Sequence, residues 1–135
     1  MKYLLDTNTC IYIINQRPAH VLQRFREHHI EDIGLSAMSA AELAFGVAKS
    51  GSAKNEATLQ RFLAPLNVLP FDVDCIWHYG HLRAKLEKAG TPIGSIDTMI
   101  AAHALALDAT LITNNVNEFA RVPGLRCDNW ALPTT

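Results

Sequence analysis

Short apolar runs alternate with longer amphipathic segments along this chain of 135 residues. Each short run has the bulky side chains and the length of a buried strand, and polar or turn-forming residues bound it. The runs predict strands at Lys2–Leu5, Asp32–Leu35, Val68–Pro70, Thr110–Thr113 and Leu125–Cys127.

The segments between these runs have apolar residues at helical spacing. They predict helices at Thr7–Asn15 and Ala19–His28, broken at Pro18, and at Ser39–Lys49, Asn55–Leu63, Val73–Ala89 and Ser95–Leu107. The inward stripe of the Val73–Ala89 helix is expected to be Ile76, Tyr79, Leu82 and Leu86. Trp77 is expected to pack in the interior, and His103 is expected to be a hydrogen-bonded core histidine.

Strands that alternate with helices, with few hairpin signals, predict a mostly parallel sheet covered on both faces. The expected fold class is α/β, a three-layer α/β/α sandwich formed by a single domain over residues 1–135. Right-handed crossovers place the carboxyl ends of all parallel strands at one edge of the sheet, which is the edge where such folds bind ligands.

Polar residues from four separate segments fall at that predicted edge. Asp6 ends the first strand, and Asn115 follows the fourth strand. Glu42 and Asp97 lie in the first turns of the helices predicted at Ser39–Lys49 and Ser95–Leu107. These four residues are the candidate catalytic set.

Each candidate also has an ordinary structural explanation. Ser39 and Glu42 have the spacing of a capping box, Asp6 and Asp97 suit helix N-termini, and Asn115 suits a turn. Together, however, three converging carboxylates repel one another unless a cation lies among them. Oxygen ligands of this kind suit Mg²⁺ or Mn²⁺, with Asp6, Asp97 and Glu42 as the candidate metal ligands.

Neighbouring polar residues are candidates for supporting these acids. Thr7, Asn8 and Thr113 are placed to orient carboxylates or a metal-bound water. Glu118 either serves as a fourth acid or caps the last turn.

The overall composition gives no general sign of a nucleic-acid-binding or membrane-surface protein. Twelve basic and 13 acidic residues give a net charge of −1, so any nucleic-acid contact must rest on a local basic patch. Arg17, Arg24 and Arg26 form the candidate RNA-binding patch. Three widely spaced cysteines and the lack of a long apolar stretch favour a cytoplasmic protein with free thiols and no membrane contact.

Several motifs, in this order and spacing, resemble PIN-domain ribonucleases of the VapC toxin type over nearly the whole chain. The matching segments are Leu5-Asp6-Thr7-Asn8, Ser39-x-x-Glu42-Leu43-x-x-Gly46, Gly90-Thr91-Pro92-Ile93-Gly94-x-x-Asp97-x-x-Ile100-Ala101, Leu111-Ile112-Thr113-Asn114-Asn115-x-x-Glu118-Phe119, Val122-Pro123-Gly124-Leu125 and Asp128-Asn129-Trp130.

The resemblance implies strand order 3-2-1-4-5 and a bacterial endoribonuclease toxin that uses Mg²⁺ or Mn²⁺. It also implies a tRNA substrate, with the initiator tRNA cut in its anticodon region as the candidate, and neutralisation by a cognate VapB-type antitoxin. Asp6, Glu42 and Asp97 match the family's three acids. The fourth acid of the family is Asn115 here, which removes one charge.

Two points stay open from the sequence. The apolar residues of Ala40–Val47 suit either a homodimer face or a groove for an antitoxin helix. The uncharged Asn115 also leaves an alternative function, a catalytically weakened PIN scaffold that binds RNA or protein. An aspartyl-phosphate phosphatase is disfavoured because Asn8 stands where that chemistry requires a second Asp.

Overall fold

Five parallel strands form the central sheet of the computed structural model, which describes residues 1–133. The strands are β1 (Tyr3–Leu5), β2 (Ile33–Ser36), β3 (Asn67–Leu69), β4 (Thr110–Ile112) and β5 (Cys127–Asp128). Their order is β3-β2-β1-β4-β5, with every neighbouring pair parallel. This confirms the predicted α/β/α class and strand order. The last two residues of the predicted domain, 134 and 135, lie outside the described residues.

Seven helices within residues 1–133 cover the two faces of this sheet. They are α1 (Thr7–Asn15), α2 (Ala19–Arg26), α3 (Ala37–Ser50), α4 (Ala53–Leu63), α5 (Val73–Lys88), α6 (Ser95–Leu107) and α7 (Val116–Phe119). A 3-10 turn at Ile30–Asp32 leads into β2. No helix within residues 1–133 is long and apolar enough to cross a membrane.

The alternation of side chains along β1 divides the core into two layers. Leu4 and Leu5 point to opposite faces because successive strand residues do so. Leu4 packs in the layer that contains Leu82 and Leu86 of α5 and the buried residues of α6. Leu5 packs in the layer formed with α1, α2, α3 and α4. The sheet is therefore buried on both sides, as a parallel sheet requires.

The start of α3 differs from the prediction. The helix begins at Ala37, and its N-cap is Ser36, whose Oγ accepts the Met38 N–H at 3.1 Å. Ser39 is buried inside the helix, and its hydroxyl has no hydrogen-bond partner among residues 1–133. The capping box of Ser39 and Glu42 was therefore wrong, and Glu42 lies in the second turn of α3 rather than the first.

The exposed face of α5 also differs from the prediction. Cys75, Leu82 and Leu86 are its buried residues, and Tyr79 packs against the core. Ile76 is exposed, and 64% of Trp77 is accessible to solvent. Helical spacing identified the buried side of α5, but it placed Ile76 on that side, whereas Cys75 is the residue that is buried there. The short helix α7 was not predicted, because a helix of four residues is too short to show helical periodicity in the sequence.

Candidate active site

Asp6 lies where β1 passes into α1, at the carboxyl edge of the sheet. It is the N-cap of α1, and its Oδ1 accepts the Thr9 N–H at 2.8 Å. The carboxylate is buried. Burial raises its pKa above the ordinary value, and the negative charge of Glu42 adds to the rise, while hydrogen bonds from Thr113 and Thr9 oppose it. The cap and the candidate catalytic acid are thus the same residue.

Asp97 occupies the first turn of α6, as predicted. Its carboxylate lies over the start of the helix, since a Cβ added to Gly94 would stand 3.7 Å from Asp97 Oδ2. Burial and the negative charges of Glu118, Glu42 and Asp6 raise the pKa of Asp97 to about 6. Charges act over short distances, so Glu118, Glu42 and Asp6 are near enough to Asp97 for their charges to affect it.

Glu42 reaches the site from α3. Its Oε1 accepts a hydrogen bond of 2.5 Å from the hydroxyl of Thr7, the first residue of α1. This bond orients the carboxylate across the gap between α3 and α1. Thr7 therefore contacts Glu42, and its supporting role stays a prediction.

Asn115 and Glu118 close the remaining side of the site. The Asn115 amide donates a hydrogen bond to Glu118 Oε2. The other oxygen of Glu118 accepts the Gly94 N–H at 3.4 Å, which ties α7 to the start of α6. Thr113 is buried, and its Oγ1 accepts the Asn115 N–H at 3.0 Å. Asn8 is exposed at the first turn of α1.

The donor chemistry of this site fits a divalent cation. Three carboxylates supply hard oxygen ligands, and burial, with the neighbouring negative charges adding to it, raises the pKa values of Asp6 and Asp97, an effect that a bound cation would oppose. No three His, Cys, Asp or Glu side chains in the part of the chain that the structure describes form a ready-made metal cluster. The assignment of Asp6, Glu42 and Asp97 as ligands stays a prediction.

The three arginines of the predicted RNA-binding patch do not join the acids. Arg24 Nη2 pairs with Asp128 Oδ2 at 3.0 Å, and Asp128 ends β5 at the same edge of the sheet. Arg17 and Arg26 are exposed on either side of it along the chain. Of the three arginines, Arg24 therefore lies next to the carboxyl edge of the sheet, and its charge is paired with that of an acid.

A groove adjoins Glu42 on the α1, α3 and α4 side. Its volume is about 370 Å³, and its apolar lining comes from Ile11, Ile14, Leu43, Val47 and Leu59, with Thr7 and Glu42 also among the lining residues. Phe45, on the same helix as Glu42, is 68% exposed. As expected, α3 therefore has apolar residues that face more than the protein's own core, in the groove or at the surface.

Two features of the site region were only partly anticipated from the sequence. One is the groove, which needs residues from three helices. The other is a hydrogen bond between His103 Nδ1 and Ser36 Oγ at 2.8 Å, both of them buried. The expectation of a hydrogen-bonded core histidine was correct, but its partner lies 67 residues away in the sequence.

Comparison with known proteins agrees with this architecture. The PIN domain family profile matches residues 3–125. The chain is similar to a tRNA(fMet)-specific endonuclease VapC from Salmonella typhimurium, with 39% identity over 131 residues that cover 96% of this chain and 98% of that protein. It is also similar to ribonuclease VapC2 from Rickettsia felis, with 42% identity over 134 residues and the same coverage of each chain.

Solved structures give the same grouping. DNA-bound VapBC from S. typhimurium contains a chain that superposes with a TM-score of 0.89 at 38% identity, covering 96% of this chain and 98% of that one. VapBC2 from R. felis, bound to a promoter DNA fragment, gives a TM-score of 0.87 at 40% identity, with coverage of 96% and 99%. The chain belongs to the PIN domain family and, within it, to the VapC ribonucleases.

Proposed function

We propose that this protein is a divalent-metal-dependent endoribonuclease that cleaves tRNA and is held inactive by a cognate VapB-type antitoxin. The observation that carries the proposal is the convergence of Asp6, Glu42 and Asp97 at one sheet edge, where the charges of Glu42 and Asp6 contribute to the raised pKa of Asp97. The names of the chain's relatives, which are VapC ribonucleases, also support the proposal.

In this proposal Asp6 and Asp97 hold Mg²⁺ or Mn²⁺, and Glu42 contacts the ion directly or through water. A bound divalent cation supplies Lewis-acid stabilisation of the scissile phosphate and lowers the pKa of a bound water. Asp6 is pre-oriented by the Thr9 N–H, and Glu42 by the Thr7 hydroxyl, so neither carboxylate must reorganise when substrate arrives. The neutral Asn115 amide holds Glu118 in place instead of adding a fourth charge of its own.

The remaining chemistry is an in-line hydrolysis. Glu42 orients the attacking water, whose oxygen forms the new bond to phosphorus as the bond to the 3′ oxygen breaks. The attacking water releases a proton to solvent and the leaving 3′ oxygen takes one up, which gives 5′-phosphate and 3′-hydroxyl ends. The partial positive charge at the N-terminus of α6 favours the anionic phosphate next to Asp97.

The proposed substrate is tRNA, with the initiator tRNA as the first candidate. The support is the S. typhimurium relative, which is named as a tRNA(fMet)-specific endonuclease. The proposed place of action is the bacterial cytoplasm.

The proposed antitoxin occupies the apolar groove beside Glu42. An amphipathic segment seated on Ile11, Leu43 and Leu59 would lie against Thr7 and Glu42. Structures of relatives as VapBC complexes support such a partner. A homodimer, with Phe45 in its interface, stays a separate prediction.

The test is cleavage of total tRNA with and without Mg²⁺ by wild type and by Asp6→Asn. We expect wild type to cut only with the metal and Asp6→Asn to lose at least about 100-fold in rate while keeping its circular dichroism spectrum. Asp74→Asn, an exposed aspartate of α5, is the matched control and should cut normally. An Asp6→Asn protein that cuts at the wild-type rate in Mg²⁺ would refute the proposal.

A further inference from the structure

A buried hydrogen bond joins the two helices that carry Glu42 and Asp97. Ser36 ends β2 and caps α3, while His103 lies in the middle of α6. His103 Nδ1 is 2.8 Å from Ser36 Oγ, Ser36 is fully buried, and only 1% of His103 is exposed.

Ser36 also connects this bond to the backbone of α3. Its Oγ accepts the Met38 N–H, and a hydroxyl can accept one hydrogen bond while it donates another. Burial lowers the pKa of His103, so the ring is neutral at pH 7 and able to accept the hydroxyl hydrogen. The first turn of α3 is thereby linked to α6 through two consecutive hydrogen bonds.

Packing holds the imidazole in this position. The ring of Phe71, which follows β3, meets His103 edge-on with 5.7 Å between ring centroids and an interplanar angle of 87°. Asp72, the N-cap of α5, is the charged group that acts on the ring. The histidine is therefore buried between α6, the end of β2 and the turn before α5, in a close-packed interior.

The two acids lie at matching distances from this bond. Glu42 is six residues after Ser36 on α3, and Asp97 is six residues before His103 on α6. At 1.5 Å per residue, each carboxylate lies about 9 Å along its helix from the bond. A rotation of either helix by about 6° around the bond would move its carboxylate by about 1 Å, a displacement that can cost about 100-fold in rate.

We propose that Ser36 and His103 are positioning residues, whose hydrogen bond fixes the angle between α3 and α6 and thereby the separation of the Glu42 and Asp97 carboxylates. This role rests on the proposed function of those two acids. Neither residue touches substrate; both act through the helices that present the ligands.

The test measures Mn²⁺ affinity directly, by electron paramagnetic resonance of the free ion, together with steady-state cleavage of tRNA. His103→Leu removes the hydrogen-bond partner and should weaken Mn²⁺ binding about tenfold and lower kcat about tenfold, with KM for tRNA changed less than twofold. His103→Asn places an amide where Nδ1 lies and should restore most of both losses. Ser36→Ala, which keeps the imidazole, carries the same expectation as His103→Leu and replaces it if that variant does not fold.

Leu82→Ala is the matched control for a general loss of stability. Leu82 packs in the same core layer from α5 and does not bridge α3 and α6. It should lower the melting temperature yet leave Mn²⁺ affinity and kcat at wild-type values below that temperature. If His103→Leu behaves like Leu82→Ala in both measurements, the positioning role is wrong.

Asp97→Asn separates this failure from failure of the proposed function. If Asp97→Asn loses Mn²⁺ affinity and cleavage while His103→Leu keeps them, only the positioning role is overturned. If Asp97→Asn keeps both, the metal site itself is wrong, and the positioning role falls with it.

Discussion

At the scale of single residues, the site keeps carboxylates where their charge is unfavourable. Asp97 is half-buried beside Glu118, Glu42 and Asp6, and its pKa is raised to about 6. Asp6 is buried with a raised pKa as well. Burial of charged carboxylates lowers the stability of the fold, and such unfavourable groups are common at functional sites.

Asp97→Asn should therefore stabilise the metal-free protein at neutral pH. Folded Asp97 keeps its proton up to about pH 6, whereas an unfolded aspartate releases it near 3.8. The folded state binds more protons in that window, so stability falls as pH rises through it. Removing the charge should raise the free energy of unfolding at pH 7.5 by on the order of 1 kcal/mol, allowing for screening by solvent. Urea denaturation in EDTA measures this.

The pH dependence is the internal check on that prediction. The advantage of Asp97→Asn should shrink as pH falls from 7.5 toward 4, because the wild-type carboxyl becomes protonated. Asp74→Asn, which removes an exposed charge near the start of α5, should be neutral or slightly destabilising. Equal effects of the two substitutions would show that Asp97 is not strained by its neighbours.

At the scale of elements, β2 and β3 approach unusually closely at one glycine. A Cβ added to Gly34 would lie 2.7 Å from the Asn67 carbonyl oxygen and 3.0 Å from Met1 Sδ. Gly34 pairs with Asn67 in the parallel register, so the backbone of β3 cannot retreat without breaking that pairing. Glycine within a strand often marks such a close approach.

Gly34→Ala should lower the free energy of unfolding by about 2 kcal/mol or more, since backbone rather than a flexible side chain must move. Thermal or urea denaturation measures the loss. Gly80→Ala is the matched control: Gly80 lies inside α5 with nothing within 4 Å of an added Cβ. It should gain about 0.5–1 kcal/mol from helix propensity. A neutral Gly34→Ala would contradict the tight β2–β3 contact.

At the scale of the whole molecule, charge balance makes RNA binding a local matter. The net charge is −1, and Arg24 is neutralised by Asp128. Arg17 and Arg26 are therefore the arginines of the α2 region that stay available for phosphate contacts. Gripping a folded RNA through its backbone would need such a patch near the sheet edge that carries the acids.

A double variant, Arg17→Ala with Arg26→Ala, should weaken tRNA binding several-fold and reduce the salt slope of log K by about 1 to 2. Binding is measured in the Asp6→Asn background so that the RNA stays intact. Lys85→Ala with Lys88→Ala removes the same charge from α5 and should leave the slope unchanged. If both double variants show the same salt slope, Arg17 and Arg26 do not contact the RNA.

The sequence by itself determined the alternation of strands and helices, and with it much of the site. Bulky runs and helical spacing marked all five strands and six of the seven helices, and α1 and α6 were predicted to the residue. Parallel topology then forced Asp6, Asp97 and Asn115 to one edge, because each follows a strand or begins a helix there. The sequence could determine the strands and helices because each leaves its pattern in residues that are neighbours along the chain.

Only the tertiary structure decided which side chains meet. The bonds from Thr7 to Glu42 and from Ser36 to His103 join residues 35 and 67 positions apart, and neither leaves a periodic signal in the chain. The start of α3 was misjudged for a related reason: Ser36 and Ser39 are both good caps, and in the folded chain it is Ser36 Oγ that accepts the Met38 N–H. The sequence thus determined which edge holds the acids, while the packing of helices against the sheet decided how they face one another.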